Sequence, residues 1–136
     1  MSFGENIAPL LGRSLMALFF ALVGLGQVRD WAGARITLLS HGVSPPDVIL
    51  AVALVIEFGG AFALLLGFRT RLAALALFML TVTASLAIND FWKIDDAEMA
   101  NEQLQLFLRN LAIAGGLLVV VGMGAGRWSY DTWRDG

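Results

Sequence analysis

A chain of 136 residues that is 58% hydrophobic and 15% charged, with a mean hydropathy of +0.76, holds more apolar surface than one soluble core can hide. Its net charge of −2 supplies no basic face for nucleic acid. The absence of cysteine rules out disulfide chemistry, thiolate zinc sites and iron–sulfur ligation by this chain, and the single histidine, His41, is too little for a metal or haem site.

Four apolar runs each approach the roughly 20 residues that a helix needs to cross about 30 Å of hydrocarbon. They predict helices over about 7–30, 47–68, 71–90 and 102–123, in one domain covering 1–136. Lipid-facing strands would alternate in polarity and these runs do not, so the expected fold is all-α, a four-helix transmembrane bundle. Glu5 in place of a basic cluster, and no small-x-small site before Trp31, read the first run as a spanning helix rather than a cleaved signal. Between the first two runs, Trp31 to Gly42 reads as a short interfacial helix or turn, ended by Gly42 before Pro45 and Pro46 open the next helix. In the acidic stretch Asn89–Gln103, Asp95 with Glu98 three residues later has the form of a capping box, which would start the last helix near Asp96.

Four crossings put both termini and the Arg69-Thr70-Arg71 turn on one side. That side holds Arg13, Arg69, Arg71, Arg127 and Arg134 against Glu5, Asp131 and Asp135. The other holds Arg29, Arg35, Lys93 and Arg109 against a larger set of carboxylates. The short basic turn favours cytoplasmic termini by the positive-inside rule, in a multi-pass protein of a bacterial inner membrane. Trp31, Trp92, Trp128, Tyr130 and Trp133 fall at helix ends, where amphipathic rings prefer the headgroup layer.

The polar residues inside the runs carry the most information. Glu57 lies eleven residues into the second helix, about 15 Å deep, near the midplane. A carboxylate there is expensive unless protonated, paired or hydrated, so it is expected to face the interior; Ala53, Gly60 and Ala61 give that face room. Thr81, Ser85 and Asn89 form one stripe on the third helix that leads to Trp92. Gln105, Arg109 and Asn110 open the fourth helix, and Gln27 ends the first. The spacing predicts one cavity lined by Glu57, Asn89, Trp92, Arg109 and Asn110. Interhelical packing is the competing reading of the same polar groups.

The segments Gly24-Leu25-Gly26, His41 to Pro45, Glu57-Phe58-Gly59-Gly60, Gly67 to Arg71, Asn89 to Trp92, Phe107 to Ala112 and Gly124 to Asp131 occur in an order that resembles the DoxX family of small bacterial membrane proteins. The resemblance implies a four-helix membrane fold and kinship with the small subunit of thiosulfate:quinone oxidoreductase. That family commonly has a basic residue where Gln27 stands, a histidine where Asn89 stands and a lysine where Arg109 stands. The expected function is therefore the membrane-embedded subunit of a quinone-linked redox system, with other redox subunits and membrane lipids as partners in a homo- or hetero-oligomer. Glu57 would be its catalytic proton donor or acceptor; Asn89, Trp92, Arg109 and Asn110 would contact a quinone, with no metal, haem or iron–sulfur cluster. A non-catalytic assembly or anchoring protein is the alternative, and a small-solute or lipid-binding protein a third reading.

The chain's lack of cysteine makes its topology easy to test. A cysteine introduced at Ala97 should react in intact cells with a membrane-impermeant reagent, and one at Ser2 should not. The reverse pattern would invert the assignment.

Overall fold

The computed structural model describes residues 3–124, 126 and 129–135, and the side chains of Phe3, Asn6, Arg134 and Asp135 are not described. The positions of Arg127 and Trp128 therefore lie outside the described residues, as does the side chain of Arg134. Six α-helices follow in order: α1 Phe3–Arg29, α2 Trp31–Ser40, α3 Pro46–Leu66, α4 Thr70–Ile88, α5 Ala97–Met123 and α6 Tyr130–Asp135, with a 3-10 turn over Phe91–Lys93. Four of them, α1, α3, α4 and α5, are long and apolar enough to cross a membrane. Among the described residues there is no strand. The chain is a multi-pass, all-α membrane bundle.

The outside of the bundle shows which solvent it was selected for. Leu15, Val55, Phe62, Val119 and Met123 are all more than 60% exposed, an arrangement that water would penalise and acyl chains accept. Inside, α1 packs along α3, α3 along α4 and α4 along α5. The core is narrow: Ala17, Phe20, Ala61, Leu64, Ala74, Leu77 and Leu117. Small residues set its spacing, because lipid gives helices no hydrophobic reason to associate and close van der Waals contact must do so instead. Gly60 is one such position, since a Cβ there would lie 2.8 Å from the Leu77 side chain. α1 meets α5 through side chains, with Met16 against Gly116 and the Arg109 guanidinium 5.4 Å from the Phe19 ring centre.

Helix ends follow local chemistry. Pro46 occupies the first turn of α3, where its missing N–H costs nothing. α3 stops at Gly67, whose φ of 73° places it in the left-handed region. The Phe68 amide then donates to the Ala63 carbonyl at 2.9 Å and the Gly67 amide to Leu64 at 3.3 Å, closing the last turn. At α5 the cap is Asp96, accepting from the Glu98 amide at 3.0 Å, one residue later than the capping box read from Asp95. α5 accordingly begins at Ala97, next to the start near Asp96 expected from the capping box and one turn or more before the apolar run at 102–123.

The termini and the α3–α4 turn share one end of the bundle, called here the turn end; the opposite end is the loop end. At the turn end, the carboxylate of Asp131 in α6 accepts from the amides of Arg69 at 2.7 Å and Thr70 at 2.8 Å. It thereby caps α4 from a segment some 60 residues away. The Asp131 amide returns a bond to the Gly67 carbonyl at 2.9 Å, and the Phe68 and Tyr130 rings stack edge to face. A negative group at a helix N-terminus is favoured by both hydrogen bonding and the helix dipole. Replacing Asp131 by Ala should therefore cost about 0.5–2 kcal/mol of stability, seen as a lower melting temperature in detergent. Asp131→Asn, which still accepts a bond, should lose less. Equal melting of Asp131→Ala and the parent protein would show that the tail does not hold the turn.

Candidate functional site

Glu57 is buried, with 6% of its surface exposed. It lies on the wall of a cavity of about 420 Å³ between the ends of α1 and α2 and the facing sides of α3 and α4. The walls are apolar: Leu38 and Val43 from the α2 region, Ile49, Leu50 and Ala53 from α3, and Leu80, Ala84, Ala87 and Ile88 from α4. Polar atoms enter at Glu57, Gln27, Thr37 and Thr83. The Gln27 side-chain amide donates to Glu57 Oε1 at 3.3 Å. Glu57 Oε2 and Gln27 Oε1 are buried without a hydrogen-bond partner among the described residues. Two unpartnered oxygens, beside the hydroxyls of Thr37 and Thr83 in an otherwise apolar chamber, are what this cavity offers a ligand.

α2 roofs the cavity because two polar ties hold it down. Trp31 Nε1 donates to Asp47 at 3.0 Å, and Arg35 pairs with the same carboxylate at 3.2 Å, fixing the start of α2 to the start of α3. At its other end, His41 Nε2 lies 3.4 Å from Asp90, joining α2 to the end of α4. The His41 Nδ1 is meanwhile 2.8 Å from the Thr37 carbonyl.

The expected single cavity divides in two. Leu80, Thr83, Ala84, Ala87 and Ile88 turn toward Glu57, whereas Asn89 and Ser85 sit on the side of α4 that meets α5. A helix that packs between two others shows each a different stripe, and the stripe leading to Asn89 belongs to α5. There Asn89 donates to Gln103 at 2.9 Å and accepts from Asn110 at 3.2 Å, while Arg109 donates to Asn110 at 3.3 Å. Asn110 and Ser85 line a separate small cavity of about 130 Å³ with Phe107. Trp92 is half-exposed and packs on Phe91 and Phe107. Arg109 is exposed at the bundle surface, so Glu57 takes its bond from Gln27 and not from an arginine.

Arg13, counted in the sequence only as a turn-end charge, is 2% exposed. It donates through Nη1 to the Leu64 carbonyl at 2.7 Å, a group in the last turn of α3 that otherwise accepts only the longer 3.3 Å bond from the Gly67 amide. It also feels the charge of Asp131. Its position six residues past Ile7 implies a depth of about 9 Å, which was the available signal. The pairing of Gln27 with Glu57 and the roofing by α2 had no such signal, since both depend on how α1 leaves the membrane.

Asn89 is the hinge of its cluster, bonded to α5 twice. Asn89→Ala should remove both bonds and strand Gln103 and Asn110, at about 0.6–2 kcal/mol for each interhelical bond. Equilibrium unfolding in mixed micelles would measure it. An unchanged midpoint would mean that Gln103 and Asn110 re-pair without Asn89.

Comparison with known proteins places this architecture. The inner membrane protein YqjF of Escherichia coli is 35% identical over 128 residues, 93% of this chain and 92% of that protein. The inner membrane protein YphA of the same organism is 25% identical, covering 90% of this chain and 86% of its own length. A Surfeit locus protein 4 homolog from Drosophila melanogaster is 27% identical over 93% of this chain, which spans only 41% of that longer protein. No solved structure matches. The DoxX assignment is thus corrected, and with it the quinone-linked redox function drawn from it; the anchoring alternative gains no support from these relatives either. The misassignment has a physical cause. The glycine turn at Gly67, the small face at Gly59-Gly60 and the polar start of the last helix answer needs that any tightly packed four-helix membrane chain has. The model of the SURF4 family matches residues 35–135, and the chain belongs to the SURF4 family.

Proposed function

We propose that this SURF4-family protein is a binding protein of the bacterial inner membrane, with cytoplasmic termini, whose chamber beneath α2 receives the polar head of an amphiphile. The observation that carries this reading is the pair of buried, unpartnered oxygens, Glu57 Oε2 and Gln27 Oε1, in an otherwise apolar cavity. Native structures leave few such atoms unsatisfied, and unlike the equally unpartnered hydroxyls of Thr70, Thr81 and Ser85 these two belong to the wall of the chamber of about 420 Å³. With Glu57 ionised both are acceptors, so the fitting ligand brings donors: a hydroxyl, or best an ammonium, which the carboxylate also attracts by charge. The volume falls within the roughly 300–1,000 Å³ of small-molecule sites, and the apolar walls suit an alkyl chain attached to that head. The name of YqjF supports the membrane; the short basic Arg69–Arg71 turn supports the orientation.

The proposal distinguishes head groups at constant chain length. Purified protein in mild detergent should retain a radiolabelled twelve-carbon primary amine and, less strongly, the matching alcohol, but not the matching carboxylate. Glu57→Gln should weaken amine retention about 10- to 100-fold, since a hydrogen bond to a charged group is worth roughly 1.5–3 kcal/mol. Ala53→Phe, which fills the chamber, should abolish retention of both. Equal binding of amine and carboxylate, or an amine affinity indifferent to both substitutions, would contradict the reading.

A further inference from the structure

At the turn end, far from the Glu57 chamber, α1 and α5 enclose a second cavity of about 530 Å³. Pro9, Met16, Val119, Val120 and Met123 make it apolar, and Gly12 keeps it open, since a Cβ there would meet nothing within 4 Å. Against that lining stands one charged group, the buried Arg13 guanidinium. Gly124 closes the cavity beside a second arginine: a Cβ at Gly124 would lie 3.2 Å from Arg71 Nε and 3.4 Å from its Nη2. Arg71 is exposed and, among the described residues, has no hydrogen bond or ion pair. The carboxylate acting on Arg13 is Asp131, which already accepts from the Arg69 and Thr70 amides. Glu5, on the first turn of α1, is the other acid at this end among the described side chains. Arg13, Arg69 and Arg71 therefore leave a local excess of positive charge at the mouth of an apolar slot.

We propose that this groove holds one anionic phospholipid, with an acyl chain along Met16, Val119 and Val120 and its phosphate at Arg71, within the field of the buried Arg13. The occupant follows from charge and shape together. A soluble anion would have no use for the apolar slot, and a zwitterionic lipid would bring its own cation to two arginines. The groove also sits at the helix ends, the depth at which phosphates lie and at which basic side chains attract anionic lipid.

Native mass spectrometry of the full chain, exchanged into equal amounts of phosphatidylglycerol and phosphatidylcholine with identical dioleoyl chains, tests it. One retained phosphatidylglycerol per chain is expected. Arg71→Gln should reduce its retention about fivefold, the factor that one basic side chain contributes near an anionic surface. Gly12→Phe should block it by occupying the slot, and because Gly12 faces open space this variant should fold, whereas an Arg13 variant would lose the bond that ties α1 to α3. Glycerol 3-phosphate, which has the head but no chains, should not displace the lipid. Equal retention of the two lipids, displacement by glycerol 3-phosphate, or unaltered phosphatidylglycerol retention in both variants would overturn the proposal.

Discussion

Within the hydrocarbon layer a polar atom has no water to fall back on, so one left unmatched by another protein atom or by something bound is costly, a charged one most of all. At the turn end the backbone groups are matched closely, while the Thr70 hydroxyl is buried without a hydrogen-bond partner among the described residues. The Leu64 carbonyl, in the last turn of α3, has only a long bond from the Gly67 amide, and Arg13 crosses from α1 to donate to it as well. Arg69 and Thr70 offer amides freed by the start of α4, and Asp131 arrives from the end of the chain to accept both. Opposite charges thus meet opposite ends of two consecutive helices, as the helix dipole favours. The same stitches tie α1, the α3–α4 turn and α6 into one unit, which makes the turn end the fixed floor of the bundle.

The loop end solves the problem differently. Asn89, Gln103, Asn110 and Arg109 satisfy one another between α4 and α5. Glu57 and Gln27 satisfy each other only by half. α2 is held over this unfinished pair by ties at both ends, through Asp47 and through His41 with Asp90. An exposed 10-residue helix pinned only by such surface contacts has little packing of its own, with Leu38 its one buried side chain. It is the part of the fold best suited to yield when a ligand enters, because regions with few buried apolar contacts open at low cost.

Much of this was legible in the residues. Run length and composition settle the number of crossings, Pro46 and Gly67 mark the limits of α3, and the depth of Glu57 requires a buried position. The site was less legible, because a period of 3.6 shows which residues share a face but not which neighbour that face meets. Asn89 and Glu57 look equally inward in sequence, yet α4 lies between α3 and α5 and directs them to different neighbours. Arg13 shows the opposite error. Its charge suggested a place in the tally of sidedness, while its use is to complete α3. Family membership was hardest to read, since the glycines and small residues that suggested one family are those that close packing demands of many.

The central claim is that Glu57 and Gln27 are left unsatisfied for a ligand to complete. Infrared difference spectroscopy, comparing the protein with and without a long-chain primary amine, reads the Glu57 carboxyl group directly. The account predicts amine-induced changes in the carboxyl bands that move on 13C-glutamate labelling and vanish in Glu57→Gln, with no such change on adding the matching carboxylate. A difference spectrum unchanged by the Glu57→Gln substitution, or one produced equally by the carboxylate, would contradict it.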